Sequence, residues 1–446
     1  MAETDWISAA EAARRLGIKQ ATLYSYVSRG VLTRRRASGT GGASGGSGDG
    51  RGSRGGGPGH GSLFDPGEVE ELARRGRPRR APGLAGLVIE SGVTEITDDG
   101  LWFRGMDALD LARDWDFEDV CDLLWLGQPH PPAPADAGEW QAARAAVAAG
   151  TAAQAALPPG TYPLERLQVI VPALAAADPL RLQFDPPAVA AAGRAIIAGL
   201  VDCLPPARPG APAGPGALAG PGIPARLWPR LCPGEPPPGL LDVLRAALVL
   251  LADHELAAST LAARVAASVR ADPYAVVATG LGAVGGALHG GASLGAETML
   301  AAAPVAAAVP RVVGELLRRG ERVPGFGHFV YRGGDPRAGL LLAMVRRAVP
   351  ASPRLAVVDA VLAEMHRRSL PEPNIDFALA VLASCAGMIR GAGEAIFAVA
   401  RTAGWLAHAM EEYTASTPRR PRAVYTGPAH RQADHGQTQR PGSLRD

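Results

Sequence analysis

Apolar and polar positions follow two different spacings along this chain. Between residues 83 and 105 they alternate, as they do in short β-strands. From 140 to 200 and from 240 to 269 the chain is rich in alanine and other apolar residues with few β-branched runs, which favours helices. The second stretch is interrupted at 253–255, and residues 203–239 are broken by proline and glycine. The pattern predicts a mainly α-helical protein, with loops around one short helix in 203–239.

Composition narrows the class of protein further. The 446 residues are enough for two or three domains and a large buried core. A net charge of +2 argues against a protein built wholly to coat nucleic acid. The four cysteines have no C-x-x-C spacing, so neither a disulfide framework nor a metal site is indicated.

One uncharged run, residues 275–296, is long enough to span a bilayer. Seven of its 22 residues are glycine and it contains His289, so we expect a buried helix that runs into a loop. The first residues lack the basic and apolar regions of a signal peptide. We therefore expect a soluble, cytoplasmic protein without membrane contacts.

The first 80 residues predict a small helical module. Ser8 can cap a helix over 9–16, with Glu11 three residues later as its capping-box partner. A second helix is expected from Lys19, and an extended basic segment follows at 34–36. Residues 39–62 hold 13 glycines in 24 positions, which cannot bury a core and should form a disordered insertion.

This module resembles a helix-turn-helix of the MerR or excisionase type, with 63–69 similar to the strand and helix that complete such a unit. The stretch 1–80 carries 14 Lys/Arg and 8 Asp/Glu, a modest basic surplus. DNA binding in a winged helix-turn-helix manner is one expectation, and a relic or a protein-docking element is the other. The candidate DNA contacts are Lys19, Gln20, Thr22, Tyr24, Arg34, Arg35 and Arg36.

Three short segments each place one acid–base side chain among glycines and prolines. They are GGALHGGA at 285–292 with His289, VPGFGHFVYR at 323–332 with His328, and PNID at 373–376 with Asp376. Residues beside such backbone breakers are expected at loop ends around a cleft. Two imidazoles and a carboxylate there predict a site that moves protons.

The three segments resemble motifs of the citrate synthase family, in the same order and at similar spacing. The resemblance implies that Asp376 removes a proton from the acyl thioester, that His289 donates to the thioester oxygen, and that His328 polarises and protonates the keto oxygen. Coenzyme A thioester is then a substrate, and no metal or redox cofactor is implied. An alternative role for Asp376 is the N-cap of the helix that follows it.

The same resemblance implies further binding residues. His254, in the DHEL segment at 253–256, matches a histidine that contacts the keto acid; the alternative is that it pairs with Asp253 or Glu255. Arginines that match family positions for the substrate carboxylates are Arg337, Arg401 and Arg420, the last contributed by the other subunit of a homodimer. Residues that match the coenzyme A loop and a nearby arginine are Val323, Pro324, Gly325, Phe326, Gly327 and Arg332.

The resemblance covers about residues 83–427 and implies two helical domains. The large domain comprises 83–289 and 396–427, the small one 290–395, and 428–446 is expected to be a disordered tail. The expected activity is condensation of oxaloacetate with acetyl-CoA, followed by hydrolysis of citryl-CoA. The alternatives are a 2-methylcitrate synthase that uses propionyl-CoA and a non-catalytic DNA-binding regulator that senses acyl-CoA or keto acid.

Overall fold

The computed structural model divides the chain into two compact units. One comprises Met1–Ile89 with Arg422–Asp446, and the other comprises Glu90–Pro421. The described residues are 6–16, 23, 27, 32–36, 62–74 (main chain only for 36 and 71–74), 89–97, 100–127, 140–208, 210, 222–331, 333–415, 417–421, 423 and 425–427. The sequence predictions for Lys19, Gln20, Thr22, Tyr24, Arg332, the insertion 39–61 and the tail 428–446 lie outside these ranges.

The first unit contains a three-stranded antiparallel sheet and two described helices. The strand order is β1-β3-β2, and Leu63 of the central strand pairs with Ser8 on one side and Arg35 on the other. The helix predicted over 9–16 is confirmed, and the backbone N–H of Glu11 donates to Ser8 Oγ over 3.2 Å. The elements are β1 (Ile7–Ser8), α1 (Ala9–Leu16), β2 (Arg34–Arg36), β3 (Ser62–Phe64) and α2 (Pro66–Arg74).

A small apolar core holds this unit together. Phe64 of β3 and Val69 of α2 are buried. They pack against an apolar residue of α1 and against apolar residues between α1 and β2. Glu68 accepts hydrogen bonds from the N–H and the hydroxyl of Thr33, at 2.7 and 2.8 Å, and so ties α2 to the start of β2. Arg34 and Arg35 of β2 are exposed.

The second unit begins with a small antiparallel sheet and continues in helices. The expected strands are found in order β4-β5-β6, and Gly127 ends the helix 117–126 in the left-handed conformation. The elements are β4 (Thr94–Ile96), β5 (Leu101–Phe103), β6 (Met106–Asp107), α3 (Ala108–Asp114), α4 (Phe117–Leu126), α5 (Arg144–Ala155), α6 (Pro163–Ala176), α7 (Pro186–Cys203), α8 (Ile223–Leu231), α9 (Leu240–Leu251), α10 (Ala258–Ser268), α11 (Pro273–Val284), α12 (Gly291–Ala302), a 3₁₀ turn (Ala306–Ala308), α13 (Val309–Arg318), α14 (Pro336–Ala348), α15 (Pro353–Arg367), α16 (Ile375–Ala386) and α17 (Ala392–Thr414).

The long helix α17 lies at the centre of this unit. It packs against α7, α9, α10 and α11, and nearly all of its side chains are buried. Several of the buried side chains are polar, and such groups need internal partners because water cannot reach them. The polar side chains of α17 therefore tie it to the neighbouring helices and to the turns between them.

The mainly helical class predicted from the pattern is confirmed. The uncharged run 275–296 is divided between α11 and α12 by a turn at 285–290. Among the described helices, α7 alone combines the length and hydropathy of a membrane span. Most of α7 is buried inside the protein, as in a core helix.

Candidate active site

Four chain segments carry the acid–base residues. His254 lies in the turn between α9 and α10, His289 between α11 and α12, and His328 between α13 and α14. Asp376 lies in the first turn of α16. His289 and His328 are therefore in connections between helices, as their glycine-rich motifs predicted, and His254 is in such a connection too, whereas the carboxylate belongs to a helix.

His254 and His328 meet around Tyr331. The two imidazole centroids are 5.2 Å apart, and the Tyr331 hydroxyl lies 3.1 Å from Nε2 of His254. The alternative pairing of His254 with its sequence neighbours is wrong, since its hydrogen bond goes to Tyr331. Burial, assisted by Arg337 and Arg401, lowers the pKa of His254 well below its ordinary value. The ring is neutral at pH 7.

The orientation of His328 follows from its own loop. Its Nδ1 accepts the backbone N–H groups of Val330 and Tyr331, at 3.0 and 3.3 Å. Burial and the charge of Arg337 lower the pKa of His328, so the ring is neutral. Because Nδ1 is an acceptor, the proton of the neutral ring is on Nε2, which is free to donate.

Arg337 is held by a buried ion pair. Its Nε and Nη2 donate to the two oxygens of Asp335, at 3.0 and 2.8 Å. Asp335 also caps α14 and accepts the N–H of Ile375 over 3.0 Å. Burial disfavours both charges, but the pair lowers the pKa of Asp335 and raises the pKa of Arg337. The contact also ties the start of α14 to the start of α16, beside Asp376.

The loop 323–327 packs on the same helix end. Gly325 has φ +81°, and a Cβ there would lie 2.8 Å from Cβ of Phe377, so only glycine fits. The N–H of Gly327 donates to the carbonyl oxygen of Glu372 over 2.8 Å, and that of Asn374 donates to Gly325 over 2.9 Å. These bonds bring the His328 loop against the first turn of α16.

The N-cap role considered for Asp376 is wrong, because Asn374 caps α16. The Asn374 side chain accepts the N–H groups of Asp376 and Phe377, at 3.0 and 3.4 Å. The carboxylate of Asp376 is thereby left for another partner, and the Ser293 hydroxyl donates to it over 2.5 Å. Burial raises the pKa of Asp376 to about 6, against the hydrogen bond from Ser293 and the charge of Arg337.

His289 is bounded by Ser259 and Phe397. Its Nε2 lies 2.8 Å from the Ser259 hydroxyl, and its ring meets the Phe397 ring edge-on at 5.6 Å. Burial and the charge of Arg401 lower the pKa of His289 to about 4. A neutral imidazole with Nε2 bonded to a serine hydroxyl can donate through Nδ1.

Arg401 is a buried cation with an unused donor. Its Nε donates to the carbonyl oxygen of Leu251 over 2.8 Å, and its guanidinium lies 4.6 Å from the centre of the Phe397 ring. Its Nη1 is buried without a hydrogen-bond partner among the described residues. Burial lowers the pKa of Arg401 to about 10. A buried guanidinium with free donors is suited to bind an anion.

One candidate substrate arginine is not buried as Arg337 and Arg401 are. Arg420 is exposed in the segment after α17. Within the described ranges, no three His, Cys, Asp or Glu side chains are grouped as metal ligands would be.

Sequence reasoning missed the partners of the site, although most of them lie inside or next to the motifs. They are Ser259, Ser293, Tyr331, Asp335 and Phe397.

The arrangement combines a carboxylate of raised pKa, three neutral imidazoles and a buried guanidinium. Such a set can remove a proton, donate to developing oxyanions and hold an anionic substrate.

The chain is similar to known proteins over most of its length. The family model "Citrate synthase, C-terminal domain" matches residues 83–422. Citrate synthase 2 of Bacillus subtilis is 33% identical over 361 residues, which cover 78% of this chain and 95% of that protein. The 2-methylcitrate synthase of Mycobacterium tuberculosis is 30% identical over 377 residues, covering 79% and 91%.

Solved structures share the fold. The citrate synthase of Thermotoga maritima matches with a TM-score of 0.62 at 24% identity, covering 78% of this chain and 95% of that one. The citrate synthase of Thermoplasma acidophilum, in complex with carboxymethyl coenzyme A and oxaloacetate, matches with a TM-score of 0.65 at 23% identity, covering 78% and 96%. With a family model that matches most of its length and a full-length relative at one-third identity, the chain belongs to the citrate synthase family of enzymes.

Proposed function

We propose that this protein condenses oxaloacetate with acetyl-CoA and hydrolyses the resulting citryl-CoA to citrate and coenzyme A. The observation that carries the proposal is Arg401, a buried cation whose Nη1 is unpartnered among the described residues and whose charge acts on His254, His289 and Asp376. An anionic substrate beside a carboxylate base satisfies that donor. The thioester is itself a substrate, and no further cofactor takes part.

Asp376 is the base in this proposal. Its carboxylate takes a proton from the methyl carbon of the thioester, and the electron pair moves onto the thioester oxygen. His289 stabilises that oxygen by donating from Nδ1, while the Ser259 hydroxyl holds its Nε2. The raised pKa of Asp376 makes it a stronger base than a solvated carboxylate.

His328 is the acid in this proposal. Its Nε2–H donates to the keto oxygen, and the enol carbon attacks the keto carbon to form the new C–C bond as that oxygen takes the proton. Water then cleaves the thioester and releases coenzyme A. Two backbone donors on Nδ1 support this tautomer of His328.

The substrate carboxylates are assigned to cations and donors around these residues. Arg401 supplies its unpartnered Nη1. Arg337 supplies the guanidinium N–H donors that its ion pair with Asp335 does not use. His254, neutral and oriented by Tyr331, donates to the keto acid. Arg420, exposed in its own chain, enters the site of the partner subunit in a homodimer.

Coenzyme A is assigned to Val323, Pro324, Gly325, Phe326 and Gly327, with Arg332 near its phosphates. The positive φ of Gly325 and Gly327 supports a loop whose backbone approaches a ligand closely. In this proposal residues 290–395 form a small domain that closes over the substrates, and 83–289 with 396–427 form the large domain.

Thiol release from the purified protein tests this function. Oxaloacetate-dependent release with acetyl-CoA is expected, and no release with either acetyl-CoA or propionyl-CoA would contradict it. Both thioesters are measured because their acyl groups differ by one methyl, which a pocket discriminates only modestly. A higher kcat/KM with propionyl-CoA than with acetyl-CoA would make the protein a 2-methylcitrate synthase.

A second function is proposed for the N-terminal unit. Strand β2, on which Arg34 and Arg35 are exposed, pairs with β3, and a long connection joins the two strands, as in a DNA-binding wing. We propose that residues 1–80 bind DNA through this strand and through Lys19, Gln20, Thr22 and Tyr24. The full chain and a variant with Arg34, Arg35 and Arg36 changed to alanine are compared in a DNA shift assay. Equal or salt-independent binding would contradict the proposal.

A further inference from the structure

The turn that carries His254 is pinned to α17 at three successive turns of that helix. Arg401 Nε and the backbone N–H of Gly404 donate to the carbonyl oxygens of 251–252, at 2.8 and 2.9 Å. One turn later, Nε2 of His408 lies 3.3 Å from Oδ2 of Asp253. A Cβ on Gly404 would meet Asp253 Oδ1 at 2.2 Å, so the contact requires glycine.

Asp253 directly precedes His254, so its anchoring fixes the backbone on one side of His254. The carboxylate is fully buried and also accepts the N–H of Glu255 over 3.1 Å. Glu255 has φ +53°, a conformation that a non-glycine residue keeps only when its surroundings impose it. The direction of the His254 side chain therefore depends on the anchoring of Asp253.

His408 links Asp253 to a buried arginine. Nη1 of Arg264 lies 2.7 Å from Nδ1 of His408. Asp253 and Glu411 favour a charged imidazole and raise the pKa of His408, but a guanidinium can only donate, so Nδ1 must be an acceptor. The ring is neutral with its proton on Nε2, from which it donates to Asp253.

Arg264 extends this series of side-chain contacts to the segment after α17. Its Nε and Nη2 contact Oε1 of Glu412 at 2.6 and 2.5 Å, and Nη1 contacts Glu411 at 2.5 Å. The other side of Glu412 accepts from Nε of Arg419 over 2.9 Å, and the Arg419 N–H donates to Ser268 over 3.0 Å. Arg419 directly precedes Arg420.

We infer that His408, Arg264 and Glu412 are positioning residues that couple the turn carrying His254 to the segment carrying Arg420. The inference rests on the proposed function, which gives those two residues their substrate roles. The links from Asp253 through His408 and Arg264 to Glu412 join side chains that are at least nine-tenths buried, whereas Glu411 and the terminal Arg419 are more open. In a dimer the network joins the keto-acid site of one subunit to the arginine that enters the other.

Variants of His408 test the near end of the network. His408→Leu removes the contacts with Asp253 and Arg264, whereas Gln offers a donor and an acceptor in their place. For Leu we expect the KM for oxaloacetate to rise about 10-fold or more and the KM for the acyl-CoA to change less than about twofold. Gln should restore the oxaloacetate KM to within about threefold of the wild type. Equal changes in both KM values, or no rescue by Gln, would overturn the inference.

Arg419→Ala tests the far end, where the side chain is 32% exposed and its loss spares the core. We expect the KM for oxaloacetate to rise about 3- to 10-fold when Arg419→Ala is made in the wild type. The same substitution should have a smaller effect in the His408→Leu background, in which the link is already broken. Arg346→Ala, which breaks an exposed pair with Asp359, is the matched control. Full additivity would overturn the coupling. An inactive wild-type protein would contradict the proposed function instead.

Discussion

Asp376, the proposed base, lies in surroundings that disfavour its charge. Its carboxylate accepts a hydrogen bond from the Ser293 hydroxyl, and burial outweighs the nearby donors to raise its pKa to about 6. His254, His289 and His328 have lowered pKa values, since burial and arginine charges disfavour their protonated forms. The same burial therefore raises the pKa of the proposed base and keeps the proposed donors neutral.

The rate is expected to fall on the acid side as Asp376 is protonated. The limb of kcat should have its midpoint at about pH 6, because His289, with a pKa of about 4, remains neutral there. The measurement is kcat between pH 5 and 8 at saturating substrates. A flat profile down to pH 5 would mean that the base is another group.

The ionised Asp376 is also expected to destabilise the fold. Its pKa is raised from 3.8 to about 6, so the native state binds more protons between these values and stability is lost as the pH rises through about 6. At pH 8 Asp376→Asn should raise the free energy of unfolding by about 1–3 kcal/mol, while kcat falls by about 10²–10⁴-fold. Urea unfolding at pH 5 and 8 measures the difference, which should shrink at the lower pH.

Asp359→Asn, at an exposed carboxylate, is the control for that comparison. A variant Asp376→Asn that is less stable than the wild type at pH 8 would show that its hydrogen bond from Ser293 outweighs the cost of burial. Retained turnover would show that Asp376 is not the base.

At the scale of elements, α17 acts as the scaffold of the site. Phe397, Arg401, Gly404 and His408 follow one another at helical spacing and meet the His289 ring, the end of α9 and the turn after it. The loop 323–327 does the same for α16, which it holds beside His328. The site is thus assembled by helix ends that are fastened to other helices.

Gly404→Ala is expected to disrupt this fastening. The new Cβ would lie 2.2 Å from Asp253 Oδ1 and 2.5 Å from the carbonyl oxygen of Ala252, so the turn must move. We expect a loss of about 2–4 kcal/mol in the free energy of unfolding together with weaker oxaloacetate binding. Gly282→Ala, in α11 with open space around it, should instead be neutral or slightly stabilising. Thermal unfolding and calorimetric titration compare the two variants, and equal behaviour would contradict the steric argument.

At the scale of the whole molecule, the exposed position of Arg420 contrasts with the burial of Arg337 and Arg401. A substrate-binding arginine that is exposed in its own chain has a role only if another surface receives it. Subunit exchange gives a direct test of the proposed shared site.

Mixing two inactive variants, Asp376→Asn and Arg420→Ala, is expected to restore activity. Each mixed dimer would contain one site with an intact base and an intact arginine from its partner, so random exchange should recover about a quarter of the wild-type rate. The mixture is denatured, refolded and assayed for thiol release, with each variant alone as the control. Recovery that stays at the level of the separate variants would indicate that Arg420 serves its own chain or none.

The sequence by itself determined the helical class, the break at 253–255 and the helix 9–16, because spacing and caps act over a few residues. It also located His289, His328 and Asp376 through short motifs. Only the tertiary structure decided that Asn374 and not Asp376 is the cap, and that His254 bonds Tyr331, 77 residues away. The protonation states and the network through Arg264 were also decided there. Burial and contacts between distant segments set both, and neither leaves a local pattern.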